Sequence, residues 1–280
     1  MVDKVPTSPA EYRVLGVRIT AATSAQWLST VAEGVADRGR RVLVSQNMHS
    51  AYLAPTSKAL QKVQSLATLV RIDGMPLVWI AKLLGLPVTR EHRAGFMDLM
   101  PLLMAEAAAQ GWKVFVIAGE EGVAERAASV LRGQHPNLQI AVENGFFKLD
   151  DSDNEVSRRL ERVNAEGADV LLVGLGMPRQ EEFLLRYLDR IQAPVVGTCG
   201  AAFDYVAGAI PMAPRWLSAL GFEWLFRLLA EPRRLWRRYL VEPLQLLPRV
   251  ARDLRSRRLG VEHFEIDRHQ LEAELNGEAQ

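Results

Sequence analysis

Short apolar runs alternate with longer amphipathic stretches along the chain. Six runs rich in β-branched residues end in small or polar residues: RVLVSQN, ATLVRID, KVFVIAG, QIAVENG, DVLLVGLG and APVVGTCG. Between them lie stretches with apolar residues at helical spacing, such as SAQWLSTVAEGVADRG, PLVWIAKLLG, FMDLMPLLMAEAAAQG and GVAERAASVLRGQHP. This alternation predicts an α/β fold, with a mostly parallel sheet and helices on both of its faces.

The composition is typical of a soluble globular protein. Of the 280 residues, 49% are hydrophobic and 24% are charged, which suffices for a sizeable core. The single cysteine, Cys199, excludes an internal disulfide framework and suits a reducing cytoplasm. No cluster of Cys and His has metal-ligand spacing, so no structural zinc is expected. Because no apolar run resembles a signal peptide or approaches the roughly 18 residues of a spanning helix, we expect a cytoplasmic protein.

Charge is distributed unevenly along the chain. The net charge is +1 overall, yet residues 215–258 hold 11 Arg, no Lys and 4 acidic residues, a charge of +7. Residues 259–280 carry a charge of −5. This segregation predicts a C-terminal segment with a different role from the rest. The predicted parts are a flexible N-terminus at 1–12, an α/β core at 13–214, an arginine-rich helical appendage at 215–258 and an acidic, mobile tail at 259–280.

Polar residues follow several predicted strands at the point where each strand ends. Ser45 and Asn47 close the first strand, Asp73 closes the second, and Gln180 and Asp204 follow the last two. Since ligands of such sheets bind at the carboxyl ends of the strands, we expect these side chains to meet at one rim. Each of Ser45, Asn47 and Asp73 has a simpler interpretation as a helix cap. Four strand ends that together offer hydroxyl, amide and carboxylate groups favour a site.

The stretch VGLGMPRQE places glycines between a strand and a helix. Gly174 and Gly176 would let backbone amides approach an anion at the helix N-terminus, as in many phosphate sites. Pro178 and Arg179 interrupt the G-x-G-x-x-G spacing and no Walker A pattern occurs, so an ordinary dinucleotide site or P-loop is not expected. No D-x-D motif joins a strand to a helix, and DDSD at 150–153 is typical of a surface turn. We therefore expect no metal cofactor.

Several motifs together resemble those of one protein family. RIDGMPLVW, HRAGFMDL, VGLGMPRQE and the block GAAFDYVAGAIPMAPRWLSALGFEWLFRLLAEPRRLWRRY are similar to the WecG/TagA/CpsF family of bacterial glycosyltransferases, family 26. The likeness runs from about Leu15 to Leu240. It implies a Rossmann-like core and inverting, metal-independent transfer of a sugar from a UDP-sugar to a polyprenyl-diphosphate-linked acceptor. Such enzymes serve teichoic acid, common antigen, capsule or exopolysaccharide synthesis.

The resemblance implies roles for residues at the strand ends. Asp73 matches the family's catalytic base, and inverting transfer needs a base that takes the proton of the acceptor hydroxyl. Ser45 and Asn47 match a T-x-N pattern with serine in place of threonine, which keeps a hydroxyl for sugar or acceptor. Arg93 and Asp98 match an R-x-x-G-x-D segment. Its glycine is shifted by one position here, which leaves the role of Arg93 open.

Two further polar residues receive roles from the same resemblance. Gln180 would orient donor or acceptor, and Asp204 would bind sugar hydroxyls or steady the site. For both residues, packing behind the site is the alternative. Without a metal, arginines and amide-rich helix starts must stabilise the departing diphosphate.

The arginine-rich segment also carries Trp, Phe and Leu. Read as helices broken near Pro232, Pro243 and Pro248, it has apolar faces flanked by basic ones, as in helices at a membrane interface. An ordinary core helix with a solvated basic face is the alternative. Nucleic-acid binding is not expected, because the aromatic residues fall beside Leu in helical register. The resemblance implies a membrane-associating lid that supplies arginines to the UDP diphosphate. The candidates are Arg227, Arg234, Arg237 and Arg238.

Two other functions stay open from the sequence. A non-catalytic regulator that binds a UDP-sugar would keep the glycine loop and the arginines but need no base. A UDP-sugar hydrolase would ignore lipid acceptors. The expected partners are a UDP-sugar, a polyprenyl-diphosphate-linked acceptor and the inner face of the cytoplasmic membrane, and a homo-oligomer is an open alternative to a monomer. The donor sugar and the acceptor saccharide do not follow from the sequence.

Overall fold

The parallel strands of one sheet position the site. The computed structural model describes residues 9–149, 154–214, 216–217 and 221–259. Its strands are β1 (Glu11–Val14), β2 (Val17–Thr20), β3 (Arg41–Gln46), β4 (Leu69–Ile72), β5 (Lys113–Ala118), β6 (Gln139–Glu143), β7 (Val170–Gly174) and β8 (Val195–Thr198). Their order is β1-β2-β4-β3-β8-β7-β5-β6. Every neighbouring pair except β1 with β2 is parallel, which confirms the predicted α/β class.

The six predicted strands are present as β3 to β8, and the sheet is extended by a hairpin that the pattern did not reveal. The prediction of a flexible N-terminus at 1–12 is wrong for Glu11 and Tyr12, which are buried in β1. Arg18 of β2 pairs with Glu11 at 2.6 Å, so two charges are compensated inside the hairpin. Residues 1–8, the predicted turn at 150–153 and the predicted tail from residue 260 onward lie outside the described residues.

Helices cover both faces of the sheet. Side chains along a strand alternate between the faces, so Val114 packs with Trp27 and Leu103, whereas Phe115 packs with Phe183 on the other face. The four predicted amphipathic stretches are helical, and they form α1, α4, α5 and α6 in the numbering given next. The helices of the core are α1 (Ser24–Asp37), α2 (Met48–Leu53), α3 (Lys58–Leu66), α4 (Met75–Leu83), α5 (Phe96–Gln110), α6 (Val123–Gln134), α7 (Asn154–Ala165), α8 (Arg179–Tyr187) and α9 (Ala202–Val206), with 3₁₀ turns at Arg90–His92 and Leu188–Arg190.

The C-terminal segment is helical, as predicted, but its breaks differ from the prediction. It comprises α10 (Glu223–Ala230), α11 (Pro232–Trp236), a π-helical turn (Arg237–Val241) and α12 (Glu242–Leu259). Pro232 begins α11, where a missing N–H costs nothing. Pro243 lies at the start of α12, directly after the π-helical turn, whereas Pro248 lies inside α12, so the predicted break near Pro248 is wrong.

Contacts with the core hold α12 in place on both sides of Pro248. Leu246 is fully buried, and Arg249 Nη1 donates to the carbonyl of Ala51 in α2 at 2.6 Å. Asp253 accepts a 2.7 Å hydrogen bond from the backbone N–H of Leu15, in the β1–β2 turn. These contacts offset the hydrogen bond that Pro248 removes from the helix. The last described helix is thereby attached to the first hairpin.

Candidate active site

A cleft of about 1000 Å³ lies at the carboxyl ends of β3, β4, β7 and β8. One side, called here the core wall, consists of Ser45, Asn47, Arg71, Asp73 and Gln180. The opposite side, the appendage wall, consists of Glu223, Arg227, Arg234 and Arg238. Of the thirteen residues predicted to form a site, ten line this cleft. They are Ser45, Asn47, Asp73, Arg93, Asp98, Gly176, Gln180, Arg227, Arg234 and Arg238.

Asp73 lies at the end of β4 with its carboxylate open to the cleft. Its backbone N–H donates to the carbonyl of Gln46 at 2.7 Å, which ties the end of β4 to that of β3. The side chain is 36% exposed and does not cap α4, whose N-cap is Gly74. The capping alternative therefore does not account for Asp73. An accessible carboxylate held by a strand end can accept a proton from a bound hydroxyl.

Arg71, which the sequence analysis missed, supports Asp73 from below. This arginine of β4 is buried and donates to the carbonyls of Ala94 and Thr198 at 2.7 and 3.3 Å. Its Nη1 is 3.7 Å from Asp73 Oδ2, and its guanidinium lies over the Phe96 ring. Burial lowers the pKa of Arg71, and the charge of Asp73 opposes that shift. The available signal was an arginine inside an otherwise apolar strand, LVRI.

Ser45 and Asn47 occupy the end of β3 beside these residues. Ser45 is buried and stands opposite Arg71 in the sheet register. Asn47 accepts from the backbone N–H of Ser50 at 3.0 Å and caps α2, so the capping interpretation holds for this residue. Asn47 nevertheless also lines the cleft. Its amide can thus serve the fold and a ligand together.

Arg93 and Asp98 form an ion pair at 2.5 Å beside Asp73. The glycine between them avoids two tight contacts, because a methyl group on Gly95 would lie 3.2 Å from Asp98 Oδ2 and 3.3 Å from Arg93 Nη1. The same methyl would lie 3.6 Å from Asp73 Oδ1. The three charged groups therefore converge around one small residue, and Asp98 offsets much of the charge of Arg93.

Gln180 enters the cleft from the first turn of α8. Its backbone N–H donates to the carbonyl of Gly176, and its amide nitrogen donates to Glu181 Oε1 at 2.8 Å. The amide oxygen of Gln180 and Oε2 of Glu181 are buried without partners. Burial raises the pKa of the Glu181 carboxyl to about 7. Glu181 is a second residue that the sequence analysis missed, although it follows Gln180 directly.

The appendage wall faces Asp73 with arginines and one carboxylate. Arg227 lies over the Tyr205 ring, and its Nε is buried without a partner. Burial is the main cause that lowers the pKa of Arg238. Glu223, also missed from sequence, has a pKa raised by burial and by the nearby charge of Asp73. Arg234 makes a bidentate contact with Glu231 at 2.6 and 2.7 Å.

Three predicted site residues lie outside the cleft lining. Gly174 is enclosed by the sheet, since a methyl group there would lie 2.5 Å from the carbonyl of Gly200. Asp204 faces the loop after β5, near Gly119 and Glu120, and burial raises its pKa. Arg237 is exposed, whereas its neighbour Arg238 in the same π-helical turn lines the cleft. Packing explains Gly174 without any ligand.

The cleft has the electrostatics of an anion site. Six arginines and three carboxylates line it within the described residues. The arginines are Arg71, Arg90, Arg93, Arg227, Arg234 and Arg238. Among the residues that the structure describes, no group of three or more His, Cys, Asp or Glu side chains is placed to hold a metal ion. No helix in the described ranges is both long and apolar enough to span a bilayer.

Comparison with known proteins gives one consistent result. The family model described as "Glycosyl transferase WecG/TagA/CpsF family" matches residues 12–260. An N-acetylglucosaminyldiphosphoundecaprenol N-acetyl-beta-D-mannosaminyltransferase of Staphylococcus aureus (strain MRSA252) is 27% identical over 233 residues, which cover 82% of this chain and 89% of the relative. The protein of the same name from Staphylococcus aureus strain NCTC 8325 / PS 47 is 26% identical over the same shares.

Proposed function

The chain belongs to the WecG/TagA/CpsF family of glycosyltransferases, and on this premise we propose its reaction. It transfers a sugar from a UDP-sugar, with inversion, to a saccharide linked to a polyprenyl diphosphate. The sugar is of the N-acetylmannosamine type, its uronate or a hexose. The Staphylococcus aureus relatives are named for transfer of an N-acetyl-beta-D-mannosaminyl group to N-acetylglucosaminyldiphosphoundecaprenol, which supports the type of sugar and the lipid-linked acceptor. The product would enter synthesis of a bacterial cell-surface polysaccharide.

One observation carries this proposal. The open carboxylate of Asp73 and the arginines of the appendage wall line the same cleft. A base on one side and cations on the other are what displacement at an anomeric carbon requires when the leaving group is a diphosphate. A regulator that only binds UDP-sugars would need the cations alone.

In the proposed reaction, the acceptor hydroxyl oxygen attacks the anomeric carbon from the face opposite UDP. As that carbon–oxygen bond forms, the bond from the anomeric carbon to the diphosphate oxygen breaks, and its electron pair leaves with UDP. The hydroxyl proton passes to the carboxylate of Asp73. Arg71 would hold Asp73 in place, and Ser45 and Gln180 would offer hydrogen bonds to sugar hydroxyls.

The departing diphosphate would be bound by arginines. Arg227 and Arg238 line the cleft without a carboxylate hydrogen-bonded to either among the described residues, whereas Glu231 engages Arg234. Since burial lowers the pKa of Arg238, a bound anion would compensate a cation that the fold desolvates. We expect transfer to continue after metal chelation, because these cations supply the charge that a metal would supply.

The same helices would bring the enzyme to its lipid-linked acceptor. An apolar stripe, composed of Trp236, Leu240, Leu244 and Leu247, repeats at helical spacing and is 48–64% exposed. Exposed arginines, including Arg233 and Arg237, flank it. Such a surface fits the headgroup region of an anionic membrane, where each basic residue adds about 1 kcal/mol. We therefore propose peripheral attachment to the inner face of the cytoplasmic membrane.

The test is sugar transfer from a panel of UDP-sugars to a short-chain polyprenyl-diphosphate-linked N-acetylglucosamine, with chelator present. The intact protein should use one donor. Asp73→Asn should lower kcat by roughly 10²- to 10⁴-fold, because the base is lost, while UDP binding measured by calorimetry persists.

Asp98→Asn is the matched control, because it makes the same chemical change in the same cleft. Its effect should fall mainly on KM, since Asp98 already pairs with Arg93. Equal kcat values for Asp73→Asn and the intact protein would refute the base assignment. Donor cleavage without an acceptor would favour a hydrolase, and UDP-sugar binding without any turnover would favour a regulator.

A further inference from the structure

A second cavity lies apart from the active site. Its volume is about 390 Å³, and it is enclosed by the β1–β2 hairpin, α3 and α12. None of its lining residues lines the active-site cleft. Four arginines and no carboxylate line it: Arg13, Arg18, Arg249 and Arg252. Such a concentration of one charge in a concave site indicates an anionic occupant.

Carboxylates behind the wall compensate only two of the four arginines. Arg18 pairs with Glu11 at 2.6 Å. Arg252 contacts Asp253 at 3.0 Å, and Asp253 is also occupied by the backbone N–H of Leu15. These two ion pairs are compensated, so the net positive charge of the cavity wall comes from Arg13 and Arg249.

The remaining two arginines keep free hydrogen-bonding capacity. Arg249 donates to the carbonyl of Ala51, which carries no formal charge. Arg13 is exposed, and no hydrogen bond or ion pair to it is found in the described part of the chain. Arg13 also stands directly opposite Arg18 in the hairpin, so both side chains leave the same face. Glu11 compensates Arg18, so an anion bound here would compensate Arg13, the hairpin arginine for which the described residues offer no carboxylate partner.

A buried amide gives an independent indication. Gln64 of α3 lines the cavity and is only 8% exposed, yet its Nε2 is buried without a hydrogen-bond partner. Gln61, one turn earlier, already donates to the carbonyl of Ala54. Because buried amide donors are nearly always paired, the wall lacks one acceptor. An oxygen atom of an occupant would supply it.

We propose that this cavity binds a phosphate-bearing anion, either free phosphate or diphosphate or the phosphate of a lipid headgroup. Arg13 and Arg249 would bind the phosphate oxygens, and Gln64 would donate to one of them. Guanidinium groups suit this role because they present paired donors to phosphate oxygens. The site contributes no group to sugar transfer, so it is independent of the reaction proposed above.

Calorimetry with inorganic diphosphate, on the full-length protein with saturating UDP, tests the soluble form of this ligand. We expect binding that Arg13→Gln weakens by about 10-fold or more and Gln64→Leu by about 3-fold or more. Arg13 is exposed, and the buried Arg18 bonds to the main chain of Gln64 rather than its side chain, so both variants should fold. Arg158→Gln, an exposed arginine on α7, is the matched control and should bind normally.

Vesicles of phosphatidylglycerol or of phosphatidylcholine alone, added to the same variants, test the lipid form. Weaker binding of Arg13→Gln than of Arg158→Gln to the anionic vesicles, with no diphosphate binding by any variant, would assign the site to lipid headgroups. If Arg13→Gln binds diphosphate more weakly than Arg158→Gln does but binds the anionic vesicles equally well, the site is assigned to a soluble anion. If Arg13→Gln and Gln64→Leu match Arg158→Gln in both assays, the proposal is overturned. These comparisons stand whether or not the protein transfers a sugar.

Discussion

The two walls of the cleft differ in what holds them in place. The core wall stands at the ends of strands whose apolar side chains, such as Leu172 and Val173, are almost fully buried. The appendage wall stands on α10, which has no buried residue, on α11, where Leu235 alone is buried, and on the π-helical turn before α12. Its large apolar side chains reach 73% exposure at Leu229. The core wall is therefore stabilised by the buried core of the sheet, whereas the helices of the appendage wall leave apolar surface exposed.

This difference separates the two tasks of the proposed reaction, which are proton removal by Asp73 and binding of the diphosphate by arginines. The position of Asp73 follows from the sheet and exists before any substrate arrives. The positions of Arg227 and Arg238 depend on a segment with little core of its own, and such segments lie at the low-stability end of a protein. Binding of the diphosphate and of a membrane would both favour the ordered arrangement. The appendage wall is thus the part that can make activity depend on location.

The largest expected contrast concerns stability. Leu172→Ala, in β7, should lower the free energy of unfolding by about 2–5 kcal/mol, because it leaves a cavity in the core. Leu229→Ala, in α10, should change it by less than about 0.5 kcal/mol. Urea denaturation followed by circular dichroism measures both. Equal losses would mean that α10 is packed as tightly as the sheet.

The next contrast is in pH dependence. The pKa of Glu181 is raised by burial to about 7, so between pH 4.5 and 7 the native state holds a proton that the unfolded state releases. Stability should therefore fall as pH rises through this interval, by on the order of 3 kcal/mol. Glu181→Gln should remove that slope in urea denaturation at pH 5 and pH 8.

Glu231→Gln is the control for this measurement. Its hydrogen bonds with Arg234 lower the pKa of Glu231 further below the interval, so the substitution should leave the slope between pH 5 and pH 8 unchanged. An identical slope in the intact protein and Glu181→Gln would show that the Glu181 carboxyl titrates normally.

Two adjacent arginines sharpen the comparison within the appendage wall. Arg238→Gln should lower kcat/KM by roughly 10- to 100-fold, because a cation that contacts the departing diphosphate is lost. Arg237→Gln should lower it by less than about 3-fold with a short-chain, dispersed acceptor, because Arg237 is exposed outside the cleft. Steady-state kinetics measure both variants. A larger loss of kcat/KM for Arg237→Gln than for Arg238→Gln would mean that Arg237, and not Arg238, contacts the diphosphate.

The smallest expected effect concerns the exposed apolar stripe. Replacing Leu244 and Leu247 together by Ser should weaken binding to phosphatidylglycerol vesicles by about 10-fold, since less apolar surface enters the interface. Transfer to a dispersed short-chain acceptor should not change. Leu185→Ser, an exposed leucine on α8 of the core, is the control and should bind vesicles normally. Unchanged binding of the double variant would place the membrane contact elsewhere.

The parallel sheet could be predicted because its signals are local. A strand such as RVLVSQN is apolar until it ends, and the end is marked by polar residues. The strand ends then led to Ser45, Asp73 and Gln180, since parallel sheets place such ends on one edge. The hairpin was missed because EYRVLGVRIT carries arginines at both strands. The hairpin is buried because its apolar side chains join a core cluster and because Glu11 and two backbone carbonyls pair with Arg18.

Other parts of the site depend on contacts that no local pattern encodes. Arg71 lines the cleft as a buried cation, and it can do so because the carbonyls of Ala94 and Thr198 accept hydrogen bonds from its guanidinium. Glu223 lies near Asp73 only after α10 packs over the cleft. The two adjacent arginines of the π-helical turn cannot be told apart in sequence, because only the packing of the turn on the core shows that Arg238 lines the cleft and Arg237 does not. Side-chain direction there follows from backbone geometry rather than from composition.

The hydrogen bond from the backbone of Leu15 to Asp253 joins residues 238 positions apart. On a ribosome, the hairpin is made long before the helix that secures its turn. Residues Glu223 to Arg238 emerge just before that helix. A growing chain can therefore contain every strand of the sheet, and with it Asp73, before the appendage wall of the cleft has been made.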